Sequence, residues 1–362
     1  MLEKLSRIKE KHYLLILALI WIGVQLIMYS IFGFKTGWEG GKYQDDARLF
    51  LETGHLNPVR LFFSSYSLLI AFFIKTGIGL KGVLLFQLLY SFFTVYIFFK
   101  LVKKLTNNNI TAFLSTLIFI VTPNIQMWNF HLFTESIFIN SLVIFLFLIL
   151  NFRGKVSEFV LILLLAVVIS YQRPPGVAAI LPAAIFLILS GKGKKKKLLL
   201  ALFLLAFFFI HIYVMLSNTT NFDEFFFATK NQYSLIGGYN ALPRQQSFAA
   251  NLIVFIKALV IKFFYLFSMW RPYFSIKHNL VQLSFLPLYF FAIIGFISLY
   301  KENKRMFIYL FLLVAGYSAL FVFTYVNYHC RYVTTVLPFV ILLAACGIKR
   351  IFFSPKTQKN KS

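Results

Sequence analysis

Asp45, Asp46 and Glu52 put three of the chain's eleven acidic residues inside the ten-residue stretch Tyr43-Gln44-Asp45-Asp46-Ala47-Arg48-Leu49-Phe50-Leu51-Glu52, and Glu39 stands just upstream. The stretch follows directly on an apolar run at 13–34. A carboxylate held near lipid has its charged form disfavoured by desolvation, which raises its basicity. Such a group can take the proton from an attacking hydroxyl. If 45–53 is helical, Asp45, Arg48 and Glu52 share one face at i, i+3 and i+7, and Ala47, Phe50 and Leu51 form the apolar side. That describes a short amphipathic helix on a membrane surface, with His55 just beyond it. The competing expectation is a solvated loop whose acids pair with Arg48 and Arg60.

Three further residues have types suited to the same chemistry. Glu135, in His131-Leu132-Phe133-Thr134-Glu135-Ser136, opens a strongly apolar run. An acid in a first helical turn complements the helix dipole, and Thr134 is placed to act as its N-cap. A lone Glu at a membrane boundary is also costly without a partner or a role, which makes it a site candidate. Arg173 sits between two apolar runs and is followed by Pro174, Pro175 and Gly176, whose prolines impose a non-helical turn. Arg331 precedes the last apolar run, flanked by His329 and Tyr332. A guanidinium offers forked donors that match a phosphate, although an arginine beside aromatics also serves as an interfacial anchor. Acids and arginines on one face would grip an anionic leaving group and deprotonate a nucleophile. The histidines 55, 131, 211, 278 and 329 show no metal-ligand spacing and read as packed or interfacial. Trp128, Tyr171 and Trp270 are able to stack on a sugar, but aromatic belts at the membrane boundary are the better default account of them.

The elements that must hold these residues follow from composition. The chain has 362 residues, 60% of them hydrophobic and only 13% charged, against about 25% charged in soluble domains. Apolar runs near the bilayer-crossing length recur from end to end, and lipid gives a spanning backbone no hydrogen-bond partner, so the spans must be helices. The expected class is all-α, a polytopic transmembrane bundle. The formal net charge of +25 does not point to nucleic acid. Lys and Arg concentrate in short connectors such as Gly191-Lys192-Gly193-Lys194-Lys195-Lys196-Lys197, as the positive-inside rule expects, and such clusters attract anionic lipid headgroups.

Runs at 61–80 and 249–270 carry serines or lysines at membrane depth, which is expensive, so both are expected to lie on the membrane or dip into it. The remaining runs give about ten spans with both termini inside. A twelve-span threading also keeps both termini inside, but it moves the polylysine connector to the outer face. In the ten-span threading the outer loops collect the acids, Arg173 and Arg331, and the inner connectors hold little besides Lys, Arg and Asn. The first run lacks a small-residue cleavage site and reads as a retained anchor. Cys330 and Cys346, if on one helix, are about 24 Å apart, too far for a disulfide.

Taken together, these motifs resemble the GT-C superfamily of membrane glycosyltransferases, polytopic enzymes that use polyprenyl-phosphate sugars, with mannosyltransferases and arabinosyltransferases among them. The first-loop acid signature is matched by Asp45-Asp46-Ala47-Arg48-Leu49-Phe50. An outer turn followed by an acid opening an apolar helix is matched by Pro123 and Leu132-Phe133-Thr134-Glu135-Ser136. An Arg-Pro-x-Gly turn is approximated by Arg173-Pro174-Pro175-Gly176, and a late Arg-Tyr before a Pro-containing span by Arg331-Tyr332 and Pro338. Asn57-Pro58-Val59-Arg60 stands where many members have His-Pro-Pro or Tyr-Pro.

The resemblance implies a GT-C-type domain over 1–352, interfacial helices in the first and fourth outer loops, and a disordered cytoplasmic tail at 353–362. It implies Asp45 as general base with Asp46 as the competing candidate, Glu135 assisting, and Arg331 and Arg173 holding the donor phosphate. Arg48, Glu52, His55, Trp128, Tyr171, His329 and Tyr332 are the further substrate-binding candidates. The implied partners are a polyprenyl-phosphate sugar donor, a glycan, lipid or protein acceptor, and the bilayer. The implied location is a cell membrane, with the site on its extracytoplasmic face. Two guanidiniums can neutralise the phosphate without metal; several superfamily members use a divalent ion such as Mg or Mn. A multi-span transporter or flippase, and a glycan polymerase or ligase, are the alternative classes.

Overall fold

The computed structural model describes residues 9–190, 194–217, 227–228, 242–243, 247–270, 275–324 and 333–353. The helices in chain order are α1 (Glu10–Phe32), α2 (Glu39–Thr53), α3 (Ser64–Lys75), α4 (Leu80–Thr106), α5 (Asn109–Val121), α6 (Pro123–Gln126), α7 (Glu135–Asn151), α8 (Val156–Ser170) and α9 (Ile180–Leu189). They continue as α10 (Lys194–Ser217), α11 (Phe248–Leu266), α12 (Ile276–Leu283), α13 (Leu286–Glu302), α14 (Lys304–Thr324) and α15 (Val333–Ile348). Short 3-10 turns occupy Pro58–Phe63, Met127–Phe130 and Pro174–Ala179, and a π turn closes Lys349–Phe353. Two-residue strands β1 (Phe227–Ala228) and β2 (Leu242–Pro243) pair in parallel.

Among the described residues, seven helical segments are long and apolar enough to cross a membrane, or eight if Asn109–Val121 and Pro123–Phe130, bent by 62°, form one broken span. The protein is therefore a helical membrane protein. Helices at Glu135–Asn151, Val156–Ser170 and Pro174–Leu189 are apolar but shorter. They coincide with the apolar runs at 132–151, 156–171 and 176–190 but are 15–17 residues long, so the expected ten spans are cut back to seven or eight among the described residues. The segment Pro58–Lys75, expected on the membrane surface, also has the length and composition of a span, with the lowest mean hydropathy of the seven, 1.3.

Local sequence explains where the elements stop. α1 ends at Gly33 and α2 at Gly54, both with positive φ, a conformation that glycine adopts without strain. Asn107 closes α4 in the left-handed region, and Asn108 starts α5 by accepting the Thr111 N–H at 2.8 Å.

The bundle has two chemically distinct ends. Lys100 and Lys103 on α4 pair with Glu10 at the start of α1. Lys104 donates to the Leu150 carbonyl at 2.7 Å and to Asn151 Oδ1 at 2.6 Å. Gly154 lies against the Lys196 side chain. The beginnings of α1 and α10 and the ends of α4 and α7 thus form one basic end. Gln87, sixteen residues or about 24 Å back along α4, touches the backbone of Asn129 and His131 and marks the other end.

Helix α15 is the centre of the bundle: each residue from Val333 to Ile348 is buried. It crosses α13 at van der Waals backbone distance. A Cβ at Gly295 would stand 1.7 Å from the Leu343 carbonyl oxygen, and one at Gly347 2.0 Å from that of Phe291. Close approach at small residues is how helices associate where lipid removes the hydrophobic driving force. A smaller core of Tyr43, Ala47, Tyr66, Ile70, Val83, Leu132 and Ile137 docks α2 and α3 onto α4 and the start of α7.

Candidate functional site

Helix α2 begins at Glu39, six residues before the expected start at Asp45. Its inward face is Gly40, Tyr43, Asp46 and Ala47. Gly40 permits this docking, since a Cβ there would lie 2.9 Å from the Leu132 carbonyl oxygen. Leu51, expected on the apolar side, is 37% exposed. Asp45, Arg48, Glu52 and His55 are all exposed, so the shared outward face of Asp45, Arg48 and Glu52 is present in the fold.

The two adjacent acids have different environments. Asp46 is 5% exposed and is engaged on both oxygens. Arg60 Nε donates to Oδ2 at 2.6 Å and Nη2 to Oδ1 at 2.6 Å, while Asn57 Nδ2 donates to Oδ1 at 2.8 Å. Asn57 also caps the turn at Pro58 by accepting the Val59 N–H at 3.1 Å. A forked, charge-assisted pair of this kind compensates the desolvation of a buried carboxylate. Asp46 therefore ties α2 to the loop that leads into α3, and Asp45 alone of the two projects outward.

Glu135 and Arg173 meet. Arg173 Nη1 is 2.7 Å from Glu135 Oε1, with the two side chains 6% and 0% exposed. The guanidinium also lies 5.8 Å from the Phe138 ring centre, within cation–π range. The turn that delivers Arg173 depends on Gly176, where a Cβ would fall 2.1 Å from the Ile169 carbonyl oxygen. The Gly176 N–H returns to the Arg173 carbonyl at 2.8 Å. Thr134 does not serve as a side-chain N-cap: its backbone is already helical, and its hydroxyl lies 3.5 Å from Glu135 Oε2 instead. The acid at the helix start is thus balanced by a guanidinium as well as by the dipole. A phosphate that approached Arg173 would share it with this carboxylate.

Trp128 is 5% exposed and packs on His131 and Phe133, with ring centres 5.4 and 5.8 Å away. Tyr171 is half-buried, stacks on Phe62 at 6.0 Å and meets His211 edge-on at 5.4 Å. Its carbonyl accepts the Ser65 N–H at 3.0 Å, which joins the start of α3 to the turn that carries Arg173. His131 bonds through Nδ1 to the Met127 carbonyl at 2.8 Å, and His211 is buried among the rings of Phe62, Tyr171 and Phe207 with no hydrogen bond to either ring nitrogen among the described residues. Arg331, His329, Tyr332 and Cys330 lie outside the described residues. Among the described residues, no group of three or more His, Cys, Asp or Glu is placed to hold a metal ion.

The structure adds a buried polar hub centred on Asn129. Asn129 Nδ2 donates to Gln25 Oε1 at 3.1 Å, Ser91 Oγ at 3.2 Å and Gln126 Oε1 at 3.2 Å. Ser136 Oγ donates to Asn129 Oδ1 at 2.6 Å, and Gln25 Nε2 to Gln126 Oε1 at 2.9 Å. Below it, Tyr66 donates to Gln87 Oε1 at 2.7 Å. The hub fastens the broken span at Thr122–Pro123 to α1, α4 and α7, and so fixes the segment that ends in Glu135. Amides inside apolar runs were the available signal, because such groups in lipid must find partners across helices.

Comparison with protein-family models and with curated proteins finds no match.

Proposed function

We propose that this membrane protein is a GT-C-type glycosyltransferase that moves one sugar from a polyprenyl-phosphate donor to an acceptor hydroxyl on a glycan, lipid or protein. In this reading the end of the bundle that carries α2 faces the extracytoplasmic side and the basic end faces the cytoplasm, in accord with the positive-inside rule. Asp45 takes the proton from the acceptor hydroxyl as the oxygen attacks the anomeric carbon. The bond from that carbon to the phosphate oxygen breaks, the electron pair leaves with the polyprenyl phosphate, and the single displacement inverts configuration. Arg331 stabilises the departing phosphate electrostatically, and the Glu135–Arg173 pair lends shape and polarity to the same end. A divalent ion, where one takes part, would assist the leaving phosphate.

The observation that carries the proposal is the division of labour at Asp45-Asp46. Asp46 is spent on Arg60 and Asn57, which holds α2 in place and leaves an outward carboxylate next to it, at the end of the bundle opposite the lysine clusters. A carrier reading draws on a different observation, the wholly buried Glu135–Arg173 pair, since intramembrane ion pairs mark transport pathways. Proteoliposomes loaded with radiolabelled polyprenyl-phosphate sugar discriminate. Label appearing in an acceptor supports the enzyme, and transbilayer movement with no transfer supports the carrier.

A further inference from the structure

The end of α13 and the π turn after α15 line a half-open hollow of ≈ 220 Å³ formed by Ile294, Ile297, Ser298, Lys301, Glu302 and Arg350. It lies away from Asp45, Glu135 and Arg173, and it is independent of the proposed transfer reaction. Its two walls differ. Ile297 is 50% exposed on the outer, lipid-facing flank of α13, so one side is apolar. The other side is cationic: Lys301 and Arg350 are exposed, and neither has an ion pair or hydrogen bond among the described residues. Glu302 does not neutralise them. It accepts the Ser298 hydroxyl at 2.7 Å and faces Lys349 Nζ at 4.0 Å.

The backbone concentrates charge here. Only Asn303 separates α13 from α14, so Lys301, Lys304 and Arg305 fall at one boundary of the bundle. The π turn at Lys349–Phe353 brings Lys349 and Arg350 to the same place, and widened turns of this kind recur at functional positions. Lys301 and Arg350 thus line a hollow with one carboxylate, Glu302, which Lys349 also faces, beside an apolar, exposed flank of α13.

We propose that this cavity is a binding site for an anionic phospholipid. Arg350 and Lys301 hold the headgroup phosphate, and an acyl chain runs along Ile294 and Ile297. Basic pockets between spans bind such headgroups by this combination of charge and apolar wall, and the apolar wall favours a lipid over free phosphate.

The test uses the purified full chain in nanodiscs of phosphatidylcholine doped with phosphatidylglycerol, with retained lipid read by native mass spectrometry. Wild type should retain phosphatidylglycerol in preference to phosphatidylcholine. The double variant Lys301→Gln/Arg350→Gln should lose that preference by roughly thirty-fold, the value for two cations at a lipid surface. Ile297→Trp, which keeps every charge and fills the hollow, should lose it as well. An unchanged preference in the double variant, with its thermal unfolding unaltered, would overturn the proposal. So would retention by Ile297→Trp at the wild-type level, which would reduce the effect to surface charge. Displacement of the lipid by inorganic phosphate alone would also overturn it, by showing an anion site without a lipid.

Discussion

Removing Arg173 should be far more damaging than removing Arg173 and Glu135 together. Glu135 is 0% exposed and its Oε1 lies 2.7 Å from Arg173 Nη1. The substitution Arg173→Met keeps much of the side-chain volume and the contact with Phe138, but it strips the buried carboxylate of this partner. Breaking a buried pair from one side costs about 3–5 kcal/mol, whereas replacing both members with apolar groups of similar size is often neutral or better. Arg173→Met and Glu135→Leu should therefore each destabilise by about 3 kcal/mol or more. The double variant should recover most of that loss, with a coupling of at least about 2 kcal/mol in the double-mutant cycle. The assay is equilibrium unfolding in mixed detergent–SDS micelles, followed by circular dichroism on all four proteins. Single variants within about 1 kcal/mol of wild type, or a double variant equal to the sum of the singles, would refute the argument that the two groups depend on each other.

Other outcomes follow from the same geometry. Arg60→Gln should loosen α2, since Asp46 loses its forked partner; hydrogen exchange in 39–53 should rise while exchange in α4 stays unchanged. Gly347→Val should block the crossing of α13 and α15, because its Cβ would lie 2.0 Å from the Phe291 oxygen; the variant should fail to yield a monodisperse protein, and normal yield would contradict the packing. Asn129→Ala leaves Ser136, Gln25 and Ser91 short of a partner at about 1–3 kcal/mol for a buried group, measurable by the same unfolding assay. In a cysteine-less background, Asp45→Cys should react with an impermeant thiol reagent added outside intact cells and Lys196→Cys should not; the reverse pattern would invert the orientation.

Much of the fold could be read from local sequence. Apolar runs and basic connectors gave most of the helices, and the spacing of Asp45, Arg48 and Glu52 gave their common outward face. The pairing of an acid with Arg60 was among the expectations, but which acid and its burial were not. Polarity patterning places every Asp on the wet side, and the fold instead buries Asp46 and adds Asn57 to Arg60 as its partner. Glu135 and Arg173 each stood out as expensive at a membrane boundary, but nothing local says that they pay for each other. The broken span was legible only in part. Pro123 marks a turn in the sequence, but it does not say that the short segment after it is held by Gln25, Ser91 and Ser136 from three other helices.

The central claim is that Asp45 is the base and Asp46 a positioning residue, and one comparison tests it most directly. Transfer from radiolabelled polyprenyl-phosphate sugar should be measured for wild type, Asp45→Asn and Asp46→Asn, alongside thermal unfolding of each. The account predicts that Asp45→Asn unfolds as wild type does yet transfers sugar roughly 10²–10⁴-fold more slowly, the range for loss of a general base. It also predicts that Asp46→Asn loses stability together with activity. Transfer at the wild-type rate by a folded Asp45→Asn protein would contradict it.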